Sequence, residues 1–286
     1  MKAVPHKLPR LKVSQNCSAP FKVKDIFHFL NQWAPVSLAE RWDHVGLQVG
    51  SLKNSVKGIL VALDVTSEVL EEAKKNKCNL LITHHPLMFE SLKKLQASSL
   101  QARLARKALR QKINILSFHT NLDSTPEGLN DLLASRLGIQ SVRVLEKSLD
   151  SKYPKAGLGR IGKIKKTSFK NFLRHLSKSL SLENFRYVGN LSKPIQNVAV
   201  MTGSGGAYFL QAKKKGADVL VTGDVKYHGA LDALAEGIAL VDIGHFEGEI
   251  GMVALVAQKL RFWLQKASLK LPVHETKSAQ DPFSFW

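Results

Sequence analysis

The chain has 286 residues, enough for two modest α/β lobes with real cores, and 44% of them are hydrophobic. No apolar run approaches the roughly 18 residues a membrane span needs, so no membrane-spanning segment is expected. The formal charge is +19, and the surplus is concentrated in mid-chain: Lys147 to Lys178 holds ten Lys and Arg against one acid, Asp150.

Residues 1 to 20 read as a loose basic tail, with Lys2, Lys7, Arg10 and Lys12 and no acid before Asp25. The tail lacks the apolar core of a signal peptide, and Pro5 and Pro9 interrupt any amphipathic transit helix. Helical periodicity appears at Val23 to Trp33. Lys57 to Leu63 reads as a buried strand, and Thr66 caps a helix running to about Asn76. Asn79 to Thr83 is a second strand, ending at His84-His85-Pro86. A Lys- and Arg-rich helix fills Ser99 to Gln111. Ile113 to Phe118 is a third strand, ending at His119, and Pro126 opens a helix closed by Gly138.

The texture changes after Ser141. Ser148 to Lys166 reads as a turn plus strands, and Ser168 to Leu180 as an amphipathic helix. Strand Asn197 to Met201, the glycine turn Gly203-Ser204-Gly205-Gly206 and a helix to about Lys215 follow. Strand Asp218 to Val221, helix Lys226 to Glu236, strand Ala239 to Asp242 and one long helix over about Glu247 to Lys266 complete the pattern. Alternating strands and helices predict mostly parallel sheets.

The chain also repeats itself. Ala73 to Thr83 reads AKKNKCNLLIT and Ala212 to Thr222 reads AKKKGADVLVT, matching at five of eleven positions. Each copy follows a strand and a helix, and each leads to a helix and a strand ending in histidine. The expected fold is therefore α/β: two similar lobes from an internal duplication, residues 21 to 140 and 141 to 286, with a site in the cleft between them. The C-terminal helix is expected to pack back on the first lobe.

Ligands of open parallel sheets bind beyond the carboxyl ends of the strands. There the sequence places His84, His85, His119 and His245. His119 and Asp123 are four apart, as are His245 and Glu249, a spacing that points both side chains the same way on a helix or tight turn. Imidazole with carboxylate suits zinc, iron, manganese or nickel. Two such pairs plus His84-His85 suffice for two divalent ions, with a bridging carboxylate such as Glu249 holding them about 3.5–4 Å apart. Each motif alone also has an ordinary structural reading, as a turn or a surface helix pair; their matching positions carry the argument.

Other signals are weaker. Gly203 to Gly206 can cradle a phosphate or serve as a bare turn. Thr222-Gly223-Asp224 faces the same cleft. His228 is a candidate general acid or base, or a plain helix-start residue. His6, His28, His175 and His274 read as tail or helix-face residues. Cys17 and Cys78 form neither a disulfide framework nor a zinc site, which fits a reducing cytoplasm. The basic mid-chain is a solvated face or a field for nucleotides or nucleic acid; no aromatic interleaving or named nucleic-acid motif accompanies it.

The stretches Trp42-Asp43-His44-Val45-Gly46-Leu47, Thr83-His84-His85-Pro86, His119-Thr120-Asn121-Leu122-Asp123, Thr202 to Gly206, Thr222-Gly223-Asp224 and Gly244 to Glu249 together resemble the Nif-three-like (interacting-factor-three-like) proteins, also called dinuclear-metal-centre hexameric proteins or GTP cyclohydrolase type 2 homologs. The resemblance covers about residues 22 to 274. It implies a toroidal homohexamer and a two-metal site on His84, His85, Asp123, His245 and Glu249, with His119 nearby as an extra or supporting ligand. The implied activity is a dinuclear-metal-dependent hydrolase, GTP cyclohydrolase type 2-like, acting on a nucleotide or related anionic heterocycle. The other reading is a metal-binding hexameric interaction protein without catalysis. Here His44 replaces the asparagine usual in the first motif, and Ser141 to Gln196 is too short for the domain that longer members insert.

Overall fold

The computed structural model describes residues 21–89 and 99–286. The expected tail, with His6 and Cys17, lies outside the described residues. Helix α1 (Val23–Trp33) buries Val23, Ile26, Phe29 and Leu30 at helical spacing. Strands β1 (Gly46–Val49) and β2 (Ile59–Ala62) follow. Helix α2 (Ser67–Lys75) starts where the Thr66 hydroxyl accepts the Val69 N–H at 3.2 Å. Strand β3 (Leu80–Thr83), helix α3 (Leu100–Arg110) and strand β4 (Asn114–Ser117) come next. Two short helices, α4 (Thr120–Ser124) and α5 (Leu129–Arg136), lead to the hairpin β5 (Gln140–Lys147) and β6 (Gly157–Ser168).

The second half then runs α6 (Phe169–Leu180), β7 (Arg186–Val188), β8 (Pro194–Val200), α7 (Phe209–Lys214), β9 (Val219–Thr222), α8 (Tyr227–Ala235) and β10 (Ala239–Asp242). It ends with α9 (His245–Glu249), α10 (Gly251–Lys266) and β11 (Val273–Glu275). No helix of the described residues is long and apolar enough to cross a membrane.

The strands form two sheets, ordered β1-β4-β3-β2-β11 and β5-β6-β8-β9-β10-β7. In the first, β2, β3 and β4 are parallel and β1 closes antiparallel against β4. In the second, β8, β9 and β10 are parallel and β7 closes antiparallel against β10. The order helix, strand, strand, helix, strand, helix, strand thus occurs twice with the same pairing. This is the structural form of the AKK…LIT and AKK…LVT repeat, and the protein is built of two similar α/β lobes. The sheets are more mixed than alternation alone predicts, because β1, β5, β6 and β7 run antiparallel to their neighbours.

The central strands are buried on both faces, which is why they read as unbroken apolar runs. Alternate residues point to opposite sides. Ile59, Val61, Leu80, Ile82 and Leu116 meet α1 and α10, whereas Leu60, Ala62, Leu81 and Ile115 meet α2 and α3. In the second sheet Val198, Val200, Val219, Val221 and Val241 meet α5 and α6, and Ala199, Leu220 and Leu240 meet α7 and α8. Each lobe is therefore covered on one face by the helix that follows the last parallel strand of the other lobe: α5 lies on the second sheet and α10 on the first.

Several elements depart from expectation. The long C-terminal helix is two, α9 and α10, broken at Ile250 with Gly248 and Gly251 close by. Pro126 does not open a helix directly; α5 starts at Leu129, and the unpredicted α4 precedes it. His274 sits in β11, paired alongside Leu60, rather than on a tail or helix face. Strands β1, β7 and β11 are short and lack alternation.

Candidate metal centre

The carboxyl ends of the parallel strands bring six side chains together. His84 and His85 leave β3, Asp123 comes from α4, His119 from the turn before it, and His245 and Glu249 from α9. Ligand atoms of His85, His245 and Glu249 lie within 4.8 Å of one another, as do those of His84, Asp123 and Glu249, and those of His84, His85 and His119. Glu249 belongs to two of these groups through different oxygens. Its Oε2 is 2.9 Å from His85 Nε2 and 3.1 Å from His245 Nε2, and its Oε1 is 3.7 Å from His84 Nε2. His84 Nε2 is also 3.7 Å from Asp123 Oδ1. One buried carboxylate thus spans two converging donor sets.

The imidazoles are held in ligating orientation by their other nitrogens. His85 Nδ1–H donates to Asp64 Oδ1 at 2.7 Å, and His245 Nδ1–H donates to Asp224 Oδ2 at 2.7 Å. His84 Nδ1–H donates to the Phe118 carbonyl at 2.9 Å. Each contact directs Nε2 into the cluster, in the manner of carboxylate–histidine–metal sites. His119 Nδ1 lies 3.0 Å from Asp43 Oδ1 at an angle that falls short of a hydrogen bond. Asp43 Oδ2 is fixed by the Thr120 N–H at 3.1 Å and the Thr120 hydroxyl at 2.5 Å. On the floor, the Thr202 hydroxyl donates to Asp123 Oδ1 at 3.0 Å.

Two observations show that this donor set fits metal ions. His84 Nε2 is fully buried and has no hydrogen-bond partner, a costly state for a polar atom unless something occupies the space in front of it. His85 Nε2 and His245 Nε2 face each other at 3.3 Å, so two nitrogen lone pairs converge beside Glu249 Oε2. Without metal, protons fill that role. Burial opposes charge on His85, but hydrogen bonds to Asp64 and Glu249 outweigh it and raise its pKa to about 10. The hydrogen bond to Glu249 raises that of His245 to about 9, with Asp224 adding to it against burial. Burial works against ionised Glu249 too, yet His84, His245 and His85 hold it well below the usual carboxylate range.

The backbone around the cluster explains the glycines. Gly203 has φ +62, and a Cβ there would lie 2.3 Å from Glu249 Oε1. The turn is therefore the wall against which the shared carboxylate rests. Its Gly205 N–H is consumed by the Gly203 carbonyl at 3.1 Å and the Thr222 hydroxyl at 2.9 Å, which removes one donor from the phosphate cradle considered above. Asp224, with φ +53, sits two residues beyond β9. His228 is exposed on α8, edge-on to Tyr227 at 5.4 Å, and is not one of the residues whose ligand atoms converge. His44 is exposed and accepts a hydrogen bond from Gln48 through its carbonyl. Part of the basic surplus (Arg143, Lys147, Lys155, Lys214 and Lys215) lines a separate cavity of about 970 Å³ that none of the cluster residues borders.

Asp43, Asp64 and Thr202 escaped the sequence reading as site residues. The available signal was positional: Asp64 stands two residues beyond β2, just as His85 stands two beyond β3 and Asp224 two beyond β9.

Known proteins share this architecture. A protein named GTP cyclohydrolase 1 type 2 homolog from Clostridium acetobutylicum is 36% identical over 265 residues, covering 92% of this chain and 98% of its own. Its namesake from Clostridium perfringens is 37% identical, covering 92% and 99%. The crystal structure of a Bacillus cereus protein related to NIF3 superposes with a TM-score of 0.88 at 28% identity, covering 94% and 100%. Reduced HcgD from Methanocaldococcus jannaschii gives 0.73 at 29% identity, covering 90% and 98%. The sequence model of the DUF34/NIF3 family matches residues 21–282. The chain belongs to the Duf34/NIF3 (NGG1p interacting factor 3) family.

Proposed function

We propose that the protein is a dinuclear-metal-dependent hydrolase, GTP cyclohydrolase type 2-like, that acts on a nucleotide or related anionic heterocycle. The observation that carries this reading is Glu249, one carboxylate whose two oxygens serve two imidazole-bearing donor sets. His84, His85, Asp123, His245 and Glu249 would hold the ions, with His119 beside them. Two divalent ions so placed would supply a water ionised near neutral pH and charge stabilisation for the reacting group. Zinc, iron, manganese and nickel all suit these donors.

The chain's own residues do the rest. Asp64 and Asp224 keep Nδ1 protonated on His85 and His245 and leave Nε2 free to ligate. His119, backed by Asp43 and next to His84 and His85 (ring centroids 5.1 and 5.4 Å), is placed to pass a proton to or from a bound ring. His245 is the most open member of the cluster, with 36% of its side chain exposed, so approach from solvent is on its side. The relatives' names favour a GTP cyclohydrolase reaction; for this chain it would be hydrolytic opening of the purine imidazole ring at C8.

The second reading, a metal-binding interaction protein assembled as a homohexamer without catalysis, is favoured by a different observation. Tyr227, Leu231 and Leu234 form an exposed apolar stripe along α8. Elemental analysis of native protein beside a His85→Ala/Glu249→Ala double variant, followed by ultraviolet assay of GTP ring opening, separates the two. About two ions per chain, lost in the variant together with turnover, supports the hydrolase. Metal without turnover of any nucleotide supports the second reading, and absence of stoichiometric metal in native protein overturns both.

A further inference from the structure

Two large aromatic side chains are exposed at the rim of the centre, and packing among the described residues gives no reason for it. Trp42 is 58% exposed and Phe89 is 51% exposed. Both touch the same imidazole: Trp42 meets His119 with ring centroids 5.8 Å apart at 74°, and Phe89 meets it at 5.6 Å and 86°. Phe89 also reaches His85, at 6.4 Å. Trp42 is thus one residue removed from the converging nitrogens, and Phe89 meets one of the rings that carry them.

The segments bearing these rings are held in place. The Gln48 amide nitrogen donates to the His44 carbonyl at 2.6 Å, and its oxygen accepts the Met88 N–H at 3.4 Å. One side chain of β1 therefore links the His44 carbonyl, two residues after Trp42, to the Met88 N–H, next to Phe89. Asp43, next to Trp42, is anchored to Thr120 as described. Beside the rim lies a cavity of about 500 Å³ whose wall includes Glu40, Asp43, His44 and Gln48. That size falls within the range of small-molecule clefts, and the lining combines apolar surface with a few polar groups.

Exposed Trp and Phe faces suit a flat, π-rich ligand, because stacking needs only a ring face and tolerates variation around its edge. A carboxylate at Glu40 and an imidazole at His44 suit the N–H donors and ring nitrogens of such a ligand. We propose that Trp42 and Phe89 are the stacking elements of a subsite for a planar nitrogen heterocycle beside the metal centre, with Glu40 and His44 reading its polar edge. The subsite rests on the hydrolase reading and deepens it: it selects the ring, whereas the metal cluster acts on it.

The test separates ring from phosphate and binding from turnover. Metal-loaded protein, Trp42→Ala, Phe89→Ala and Trp42→Phe are titrated calorimetrically with guanosine, which has the ring and no phosphate, and with ribose 5-phosphate, which has the phosphate and no ring. Elemental analysis of each variant confirms that the centre is intact. Stacking is worth about 1–3 kcal/mol per base, so each alanine variant is expected to bind guanosine about 5- to 150-fold more weakly. Trp42→Phe is expected to retain most of the affinity, and ribose 5-phosphate to bind all four proteins alike. Guanosine affinity unchanged in both alanine variants overturns the subsite, as does equal weakening of both ligands. Failure of the hydrolase reading looks different: guanosine binding would still depend on Trp42, but no nucleotide would be turned over.

Discussion

Replacing Gly203 by alanine probes the shared carboxylate without touching any candidate ligand. Two costs arise. At φ +62 the added Cβ imposes left-handed strain of about 1–2 kcal/mol. It would also lie 2.3 Å from Glu249 Oε1 and 3.6 Å from His245 Cε1. An ordinary carbon–oxygen approach is about 3.3 Å, so the oxygen must retreat by roughly 1 Å. Oε2 is pinned by His85 and His245 at 2.9 and 3.1 Å, so the retreat turns the carboxylate away from His84 and Asp123. Disturbing an oriented ligand typically weakens metal binding about 10–100-fold. Gly216→Ala is the matched control, since Gly216 has φ +84 and nothing within 4 Å of its Cβ position. Both variants are expected to melt about 2–8 °C lower than the parent by calorimetry. Only Gly203→Ala is expected to lose metal affinity in competition with a chelator, first at the set containing His84 and Asp123. Equal metal affinity in the two variants would refute the placement of Oε1 as a ligand.

Asp64→Asn and Asp224→Asn keep shape but remove the charge behind His85 and His245; each is expected to lower metal affinity about 10–100-fold, measured by the same competition, while far-ultraviolet circular dichroism stays unchanged. Arg160 is 2% exposed, pairs with Asp131 at 2.8 Å through both Nε and Nη2, and donates to the carbonyls of Gly157, Gly159 and Thr125. Arg160→Ala is expected to cost about 3 kcal/mol in urea unfolding, the lower end for a broken buried pair because Asp131 keeps some solvent. In metal-free protein, His85 and His245 have pKa values raised from 6.5 to about 10 and about 9. The folded state therefore binds the extra protons, so their stabilisation is complete below about pH 6.5 and is lost as pH rises through about 9–10. Urea midpoints at pH 6, 8 and 10, read against His85→Ala/His245→Ala, check this: the gap between the proteins is expected to close at high pH. Metal displaces the same protons, so adding it in weak buffer at pH 7 is expected to release acid.

Elements with strong local signals were readable from sequence for physical reasons. Thr66 and Ser168 cap helices where a hydroxyl is needed, and the repeated AKK segments end in strands buried on both faces. Strands β1, β7 and β11 were not readable, because each is three or four residues long and is defined by a neighbour far away in sequence. The break at Ile250 was hidden by apolar periodicity continuing through it. At the site, strand-end position and paired spacing pointed to His84, His85, His119, Asp123, His245 and Glu249, and the fold brings these side chains together; the choice of five of them as ligands came from the family resemblance. Spacing said nothing of Asp43 and Asp64, whose roles depend on which strands lie side by side.

The crossed covering helices bear on how the cleft behaves. Met252, Val253, Val256, Ala257 and Leu260 of α10 lie in the first lobe's core, while Leu133, Ala134 and Leu137, from α5 and its end, lie in the second's. Pulling the lobes apart would strip both sheets and expose side chains whose burial is worth on the order of 10 kcal/mol. The centre therefore does not work by a hinge. The separation of His85 from Glu249 is set by the same packing that keeps the chain folded.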